Sequence, residues 1–417
     1  MNAHNQDKIQ FLIGKGVRIL NPGSVDIGED VNLDRISGDR VTIYPGCRIY
    51  GNDTMIMAGA TLGFEGPVTI VNCQLGPGVE LRGGFFKRSV FLDRAVVGLG
   101  AQIRECCILE EESSCAHNVG IKQTIIFPFV TLGSLINFCD CLISGGTGRR
   151  NHSEVGSSYI HFNFTPNQDK ATPSLIGDVP RGVMLNQPPI FLGGQGGLVG
   201  PSRIAFGSVL AAGTILRRDS LEGGKLLLGG VIRRKELPLY PGLYRNVKKK
   251  TLHNINYIAN LIALRNWYCH LRPIFSSGDG LREELIRSGI EILDRAVEER
   301  VKRLMVFAEK LPLSAEIYRK SMKGGSTPEV LLRKEQIFES RHRVGDLLLE
   351  SHQKEYGKES RDNFLAEFLM NRRQSGEGYI EEIKSLSPGT AEKGVGWLQG
   401  IVDEVVEEVL EIIPGFK

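Results

Sequence analysis

The sequence has neither a long apolar run nor a marked excess of charge of one sign. Its 51 Lys and Arg residues nearly balance 48 Asp and Glu residues, for a formal net charge of +3 in 417 residues. This balance does not indicate a nucleic-acid-binding surface, and no run approaches the roughly 18 apolar residues that a membrane span needs. The start, MNAHNQDKIQ, lacks an apolar segment and a small-residue cleavage site. We therefore expect a cytoplasmic protein that binds neither nucleic acid nor membrane.

Cysteine is not arranged in any pattern that binds a metal. Seven of the eight cysteines lie between Cys47 and Cys141, in apolar contexts such as Cys106 and Cys107. Their spacing matches neither a metal site nor a disulfide framework, so we expect buried, reduced thiols and no metal.

Glycine is abundant instead, with 50 residues concentrated before Tyr240, and the same region has a period of six. The pattern is expected of a triangular coil, in which each flat side is a short strand with one inward aliphatic side chain. Each corner is a tight turn that Gly, Asn or Asp tolerates. Coils of about 18 residues would stack into about eleven turns. The residues that recur at this spacing are Ile56, Leu62 and Val68; Val97, Ile103 and Leu109; Val130, Ile136 and Leu142; and Val209, Ile215, Leu221 and Leu227.

The sequence therefore predicts a mainly β fold, a left-handed parallel β-helix of hexapeptide repeats over residues 1–239. A β-sandwich is the alternative, but it would show a period of two and longer spacing between turns. Three stretches interrupt the period and are predicted to be loops, where functional residues concentrate: residues 145–156, 163–173 and 186–201.

Beyond Leu239 the periodicity becomes helical and predicts a separate α-helical bundle domain over residues 240–417. Three amphipathic helices are indicated. They are marked by Leu285, Ile292, Ala296, Leu304, Ala308 and Leu311; by Val330, Ile337, Val344 and Leu348; and by Leu398, Val402, Val405, Val409 and Ile412.

The stretch from about His152 to Asp219 resembles the acetyltransferase domain of the bifunctional UDP-N-acetylglucosamine pyrophosphorylase and glucosamine-1-phosphate acetyltransferase. Three segments carry the likeness: NHSEVG from Asn151, YIHFNFTPNQDKATPSLIGDV from Tyr159 and VLAAGTILRRD from Val209. The resemblance implies a hexapeptide-repeat transferase that forms a homotrimer, with acetyl-CoA bound between subunits. The Gly-rich nucleotide-binding segment of that family is not found here, so we expect no uridylyl transfer.

The resemblance also implies residue roles. His152 matches the general base, and a neutral imidazole can accept a proton from an attacking amine near neutral pH. Asn163 matches the residue that helps to place the amino sugar. The sugar phosphate would bind Lys170, with Arg149 and Arg150, because phosphates favour such cations.

For the acyl donor, Ala212 and Gly213 match the coil whose backbone lines the CoA arm. Arg233 or Arg234 lies near the position of the basic residue for the CoA phosphates. This sequence departs from the family in one respect, because the interval between His152 and Asn163 is shorter by most of a coil. His117 and His161 are therefore rival bases.

Two functions follow as hypotheses. The first is an acyltransferase that moves an acetyl or acyl group from CoA to an amino sugar or nucleotide sugar. The alternative is a non-catalytic sugar-nucleotide-binding or assembly module, in which the helices dock a partner protein such as a nucleotidyltransferase.

Overall fold

The computed structural model describes residues 3–163, 165–230, 236, 238–321, 328–372 and 378–417. Short parallel strands wind through three faces of a solenoid, and within the described residues the first face has 11 strands. The predicted parallel β-helix followed by helices is confirmed.

The first face contains Arg18–Ile19, Thr42–Ile43, Thr61–Leu62, Glu80–Leu81, Val96–Val97, Ser114–Cys115, Thr131–Leu132, Glu154–Val155, Phe191–Leu192, Val209–Leu210 and Leu226–Leu227. The second contains Asp26–Ile27, Arg48–Tyr50, Val68–Val71, Gly84–Phe91, Ala101–Leu109, Gly120–Lys122, Asn137–Cys139, Ile160–Phe162, Gly197–Val199 and Ile215–Leu216. The third contains Met55–Ile56, Gln74–Leu75, Ile125–Ile126, Cys141–Ile143, Ser174–Ile176 and Arg203–Ile204. Strands Gly84–Phe91 and Ala101–Leu109 turn the corner from the second face to the third.

We call the turn from first to second face the first corner, that from second to third the second corner, and that leading into the next coil the third corner. Val96 pairs with Ser114 and Ser114 with Thr131, so a regular coil takes 18 or 17 residues. The first corner repeats a left-handed residue in successive coils, and Asn118, Leu135 and Ser158 all have φ near +60°. Gly adopts this conformation without the steric cost that a Cβ brings, which explains why Gly is abundant at the corners.

The predicted aliphatic column is confirmed through most of the solenoid, where Ile103 and Ile136 are buried, as are the other members of the first three sets. In the last set, Leu227 packs against the core, but the other three residues are wrong. Val209 and Ile215 are about 40% exposed and Leu221 is 63% exposed. Leu210 and Leu216 point inward instead. The pairs Val209 and Ile215 and Leu210 and Leu216 are both six residues apart, so the period alone does not decide between them. In the structure, the second residue of each strand faces the interior.

The predicted loop at residues 186–201 is also wrong, because this stretch contains strands Phe191–Leu192 and Gly197–Val199. Its glycines allow close stacking of coils. A Cβ on Gly193 would lie 2.4 Å from the backbone N of Ala212, and one on Gly156 equally close to that of Gly194. The period of six does not mark these strands, because Gly stands at positions where the other coils have aliphatic residues.

The helices are α1 (Ala3–Lys15), α2 (Val179–Gly182), α3 (Val247–His270), α4 (Gly280–Glu309), α5 (Leu311–Ser321), α6 (Pro328–Ser351), α7 (Lys358–Asn371), α8 (Tyr379–Lys384) and α9 (Pro388–Ile412). Short 3₁₀ helices lie at Pro22–Ser24, Leu33–Arg35, Arg272–Phe275 and Pro414–Phe416. The three predicted amphipathic helices correspond to α4, α6 and α9, with Leu311 at the start of α5. Helix α3 was not predicted, since its apolar residues occupy most of its circumference and give no single apolar stripe.

Helix α1 covers the first coil of the solenoid. Ile9 and Leu12 are buried against it, while the Asn5 side chain donates to the carbonyl of Val25 and accepts from the N–H of Ile27. An end cap of this kind protects the first coil, which has no neighbouring coil on its outer side.

The helices pack directly against the third face of the solenoid. Helix α4 contacts the strands Gln74–Leu75 and Ala101–Leu109, and α3 contacts Ser174–Ile176. One continuous apolar core includes residues of the solenoid and of these helices. The division at residues 239 and 240 stays a prediction, but the helical region shares a core with the β-helix.

Candidate functional site

A β-hairpin projects from the third corner and carries His152. Its strands, Gly146–Gly148 and Asn151–His152, are antiparallel, unlike the coils around them. The Ser153 hydroxyl fixes the base of the hairpin, because it donates to the carbonyl of Ser144 at 2.9 Å and accepts from the N–H of Ile190 at 2.8 Å. The hairpin therefore holds His152 outside the coil on a rigid base.

The surroundings of His152 fix which ring nitrogen is basic. Its Nδ1 lies 2.8 Å from the carbonyl oxygen of Arg149. A carbonyl only accepts, so Nδ1 donates, and Nε2 is the nitrogen that can accept a proton in the neutral ring. The Nε2 atom lies 3.8 Å from the carboxylate of Glu154, and the side chain of His152 is 20% exposed. Sequence reasoning missed Glu154, which follows His152 by two residues.

Arg149 and Arg150, the predicted phosphate ligands, differ in their surroundings. Arg149 reaches along the first face, where its guanidinium donates to the carbonyls of Glu112 and Phe129 at 3.0 and 2.7 Å, and Nη2 donates to the Ser114 hydroxyl at 3.2 Å. These bonds pin the hairpin to the solenoid. Arg150 is exposed at the hairpin tip.

Asn163 and Lys170 lie in a loop at the second corner, not at the third corner with His152. The Asn163 amide donates to the carboxylate of Asp140 at 3.0 Å. Arg300 of α4 donates to the carbonyl of Lys170 at 3.1 Å, while the Lys170 side chain is exposed. Within one chain, the structure does not bring Asn163 and His152 together.

The same loop is anchored to α3 by Asp169, whose side chain is fully buried. Its carboxylate accepts from Lys250 at 2.7 Å, from the Tyr244 hydroxyl at 2.9 Å and from Thr165 at 2.6 Å. Burial would raise the pKa of Asp169, but Lys250 and these hydrogen bonds lower it below its usual value. The loop at residues 163–173 therefore holds the helical region onto the solenoid.

Ala212 and Gly213 lie exposed at the first corner of a late coil. Gly213 has φ +74° and open space where a Cβ would stand, and its N–H donates to the carbonyl of Gly194 at 2.9 Å. The predicted CoA-phosphate residues, Arg233 and Arg234, lie outside the described residues.

The rival histidines occupy different environments. His117 is exposed at the first corner, where Nδ1 lies 2.9 Å from the Ser134 hydroxyl. A hydroxyl can donate or accept, so this contact does not fix the tautomer. His161 is buried, with Nδ1 bound to the carbonyl of Cys139 and Nε2 to the Ser174 hydroxyl. Burial lowers the pKa of His161 to about 4, and both its nitrogens are already bonded inside the solenoid.

The stacked coils form the parallel β-helix that the hexapeptide-repeat pattern predicted. The chain resembles the acetyltransferase half of the bifunctional protein GlmU, and the resemblance predicted from the sequence is confirmed. No protein-family model matches the chain.

The relatives are similar over about half of this chain. The bifunctional protein GlmU of Thermotoga maritima is 29% identical over 213 residues, which is 51% of this chain and 42% of that protein. GlmU of Acinetobacter baumannii is 27% identical over 230 residues, 51% of this chain and 41% of that protein. The chain therefore spans less than half the length of these relatives.

Solved structures give weaker matches. LpxA from Acinetobacter baumannii has a TM-score of 0.20 at 13% identity, covering 67% of this chain and 95% of that one. A GDP-perosamine N-acetyltransferase from Caulobacter crescentus, solved with CoA and GDP-perosamine, has a TM-score of 0.10 at 10% identity, covering 54% of this chain and 63% of that one. Among the described residues, no helix combines the length and apolarity needed to cross a bilayer.

Proposed function

We propose that the protein is a CoA-dependent N-acyltransferase that acetylates the amino group of an amino sugar or nucleotide sugar. The observation that carries the proposal is the state of His152: a backbone carbonyl holds the proton on Nδ1, which leaves Nε2 free to accept one. The similarity to GlmU over 213 residues supports the same chemistry.

In the proposed reaction, Nε2 of His152 takes a proton from the acceptor amine as its nitrogen attacks the thioester carbonyl of acetyl-CoA. The carbonyl oxygen becomes an oxyanion, which backbone N–H groups of the coil corners would stabilise. The C–S bond then breaks, and the thiolate of CoA receives the proton from His152. An amide and free CoA thiol are the products, and no oxidant or metal takes part.

For the acceptor, we propose that its phosphate binds the exposed Arg150 of one subunit and the exposed Lys170 of a second subunit, because these two residues lie at different corners within one chain. We propose a role for Asn163 in sugar binding only if a second subunit presents it to His152. Ala212 and Gly213 are the proposed contacts of the CoA arm. Arg149 is already bonded to the solenoid, so we propose that it positions the hairpin.

We further propose a homotrimer that acts in the cytoplasm. In the last coils, apolar side chains point outward in stacked register, since Phe191 pairs with Val209 and Val209 with Leu226 on the first face. All three are substantially exposed, and packing of subunits would cover them. The eight cysteines are free thiols, as is usual in a reducing compartment.

The alternative, a non-catalytic module, is favoured by one observation. The loop with Asn163 and Lys170 is bonded to α3 and α4. It therefore has a structural role even if the protein catalyses no reaction.

The test is to incubate purified protein with acetyl-CoA and a panel of amino-sugar phosphates and nucleotide-linked amino sugars. Release of free thiol together with an acceptor heavier by one acetyl group supports the enzyme. Stabilisation against heat by a nucleotide sugar, with no stabilisation by CoA and no product, would favour the module instead.

A further inference from the structure

A second region of the molecule, away from the His152 hairpin, has the composition of an anion site. A cavity of about 620 Å³ lies where the last coils meet the beginnings of α3 and α6. Among the described residues that line it, only Asp219 carries a carboxylate, whereas six carry a basic group. These are Arg203, Arg245, Lys248, Lys249, His253 and Arg333.

The carboxylate of Asp219 is already occupied by these neighbours. Its Oδ1 accepts from the backbone N–H of Arg203 at 3.0 Å and lies 3.2 Å from Nζ of Lys249 and 3.0 Å from Nε2 of His253. Burial would raise the pKa of Asp219, but the hydrogen bond from His253 and the other contacts lower it to about 2. Asp219 is therefore an anion whose charge is balanced locally.

His253 contacts the same carboxylate. Its Nδ1 lies 2.8 Å from the carbonyl of Lys249, and its Nε2 lies 3.0 Å from Oδ1 of Asp219. Lys249 and His253 therefore both contact the single carboxylate found among the described lining residues.

Two arginines of the lining have no anionic partner among the residues that the structure describes. Within the described part of the chain, no carboxylate forms an ion pair with Arg203 or Arg245, although both line the cavity. Among the described residues, Lys248 donates to the main-chain oxygen of Lys417 at 2.8 Å. The excess positive charge therefore faces the cavity.

We propose that this cavity binds the phosphate or pyrophosphate group of a small phosphorylated molecule. The planar guanidinium groups of Arg203 and Arg245 suit phosphate oxygens, which accept paired hydrogen bonds. Helix α3 begins at the cavity, and its positive end adds to the field of the side chains. The site belongs to the second corner and third face, whereas Ala212 and Gly213 lie at the first corner, so it is separate from the proposed acyl-donor contacts.

Calorimetric titration of the full chain with inorganic pyrophosphate tests this site. We expect saturable binding with one ligand per chain, weakened at least tenfold in the double variant Arg203→Gln/Arg245→Gln. The matched control is Arg217→Gln/Arg218→Gln, which removes the same charge from exposed arginines outside the lining and should change the dissociation constant less than twofold.

Absence of saturable binding to the wild-type chain, or equal weakening in both double variants, would overturn the proposal. Circular dichroism checks the fold of each variant. If the first double variant does not fold, the exposed Arg245→Gln alone is used and should still weaken binding at least threefold. His152→Gln should bind pyrophosphate like the wild type, so loss of acyl transfer and loss of this site are measured independently.

Discussion

The guanidinium of Arg300 in α4 lies 2.8 Å from the carboxylate of Asp140 at the second corner, and the two side chains are only 2% and 4% exposed. Asp140 also accepts from Asn163, and Arg300 also donates to the carbonyl of Lys170. A buried ion pair thus joins the helical region, a coil of the solenoid and the loop at residues 163–173.

Removal of one partner should therefore lower the free energy of unfolding by more than the intact pair contributes to it. Arg300→Met leaves the Asp140 carboxylate buried without its counter-charge, and we expect the free energy of unfolding to fall by about 3–5 kcal/mol. Urea denaturation measures it. The double variant Arg300→Met/Asp140→Leu should recover much of the loss, and a loss below about 1 kcal/mol in Arg300→Met would contradict the stated role of the pair.

The buried imidazole of His161 predicts a pH dependence of stability. Its folded pKa is about 4, whereas an unfolded histidine titrates near pH 6.5. As the pH falls from about 6.5 toward 4, the unfolded chain takes up a proton and the folded chain does not. The contribution of His161 to the free energy of unfolding is therefore lost through this window, by on the order of 3 kcal/mol.

Unfolding in urea at a series of pH values, for wild type and His161→Gln, measures this loss. The wild-type curve should be the steeper of the two across the window. Parallel curves would show that His161 titrates normally in the folded protein.

The outward apolar column on the first face predicts how assembly can be broken. Val209→Asp places a charge between Phe191 and Leu226, and we expect light scattering to show a change from three chain masses to one. Thr61→Asp, on the same face in an early coil, is the control and should remain trimeric. A monomeric wild-type chain at micromolar concentration would rule out this interface.

The anchoring of the hairpin predicts a role for Arg149 that differs from direct phosphate binding. Arg149→Ala removes the bonds to Glu112, Phe129 and Ser114, and it should lower kcat about tenfold while KM for the acceptor changes less than twofold. Steady-state kinetics distinguish the two roles. A large rise in KM with unchanged kcat would instead indicate that Arg149 binds the acceptor.

The sequence predicted the β-helix because its evidence is local and repeated. A period of six places Ile103 and Ile136 in the interior by the geometry of the coil alone. The prediction of which residue points inward was wrong at Val209 and Ile215. There two adjacent aliphatic residues both satisfy the period, and only the folded structure shows which of them is exposed. Helix α3 was not predicted because it is buried on most sides and therefore lacks an amphipathic pattern.

The site could be predicted only in part. His152 stands in a recognisable segment, but its tautomer depends on the carbonyl of Arg149, which the hairpin brings back by folding. The family resemblance of the segment around Asn163 does not predict that this loop contacts α3 and α4. Those contacts involve Lys250 and Arg300, which are distant in sequence and follow no motif.

The most direct test of the account compares acyl transfer by wild type, His152→Gln and His117→Gln under identical conditions, with thiol release from acetyl-CoA as the measurement. Loss of the general base should lower kcat by roughly 10²–10⁴-fold in His152→Gln, while His117→Gln stays within about threefold of wild type. Full activity in His152→Gln, or a collapse of activity in His117→Gln alone, would contradict the assignment of the base.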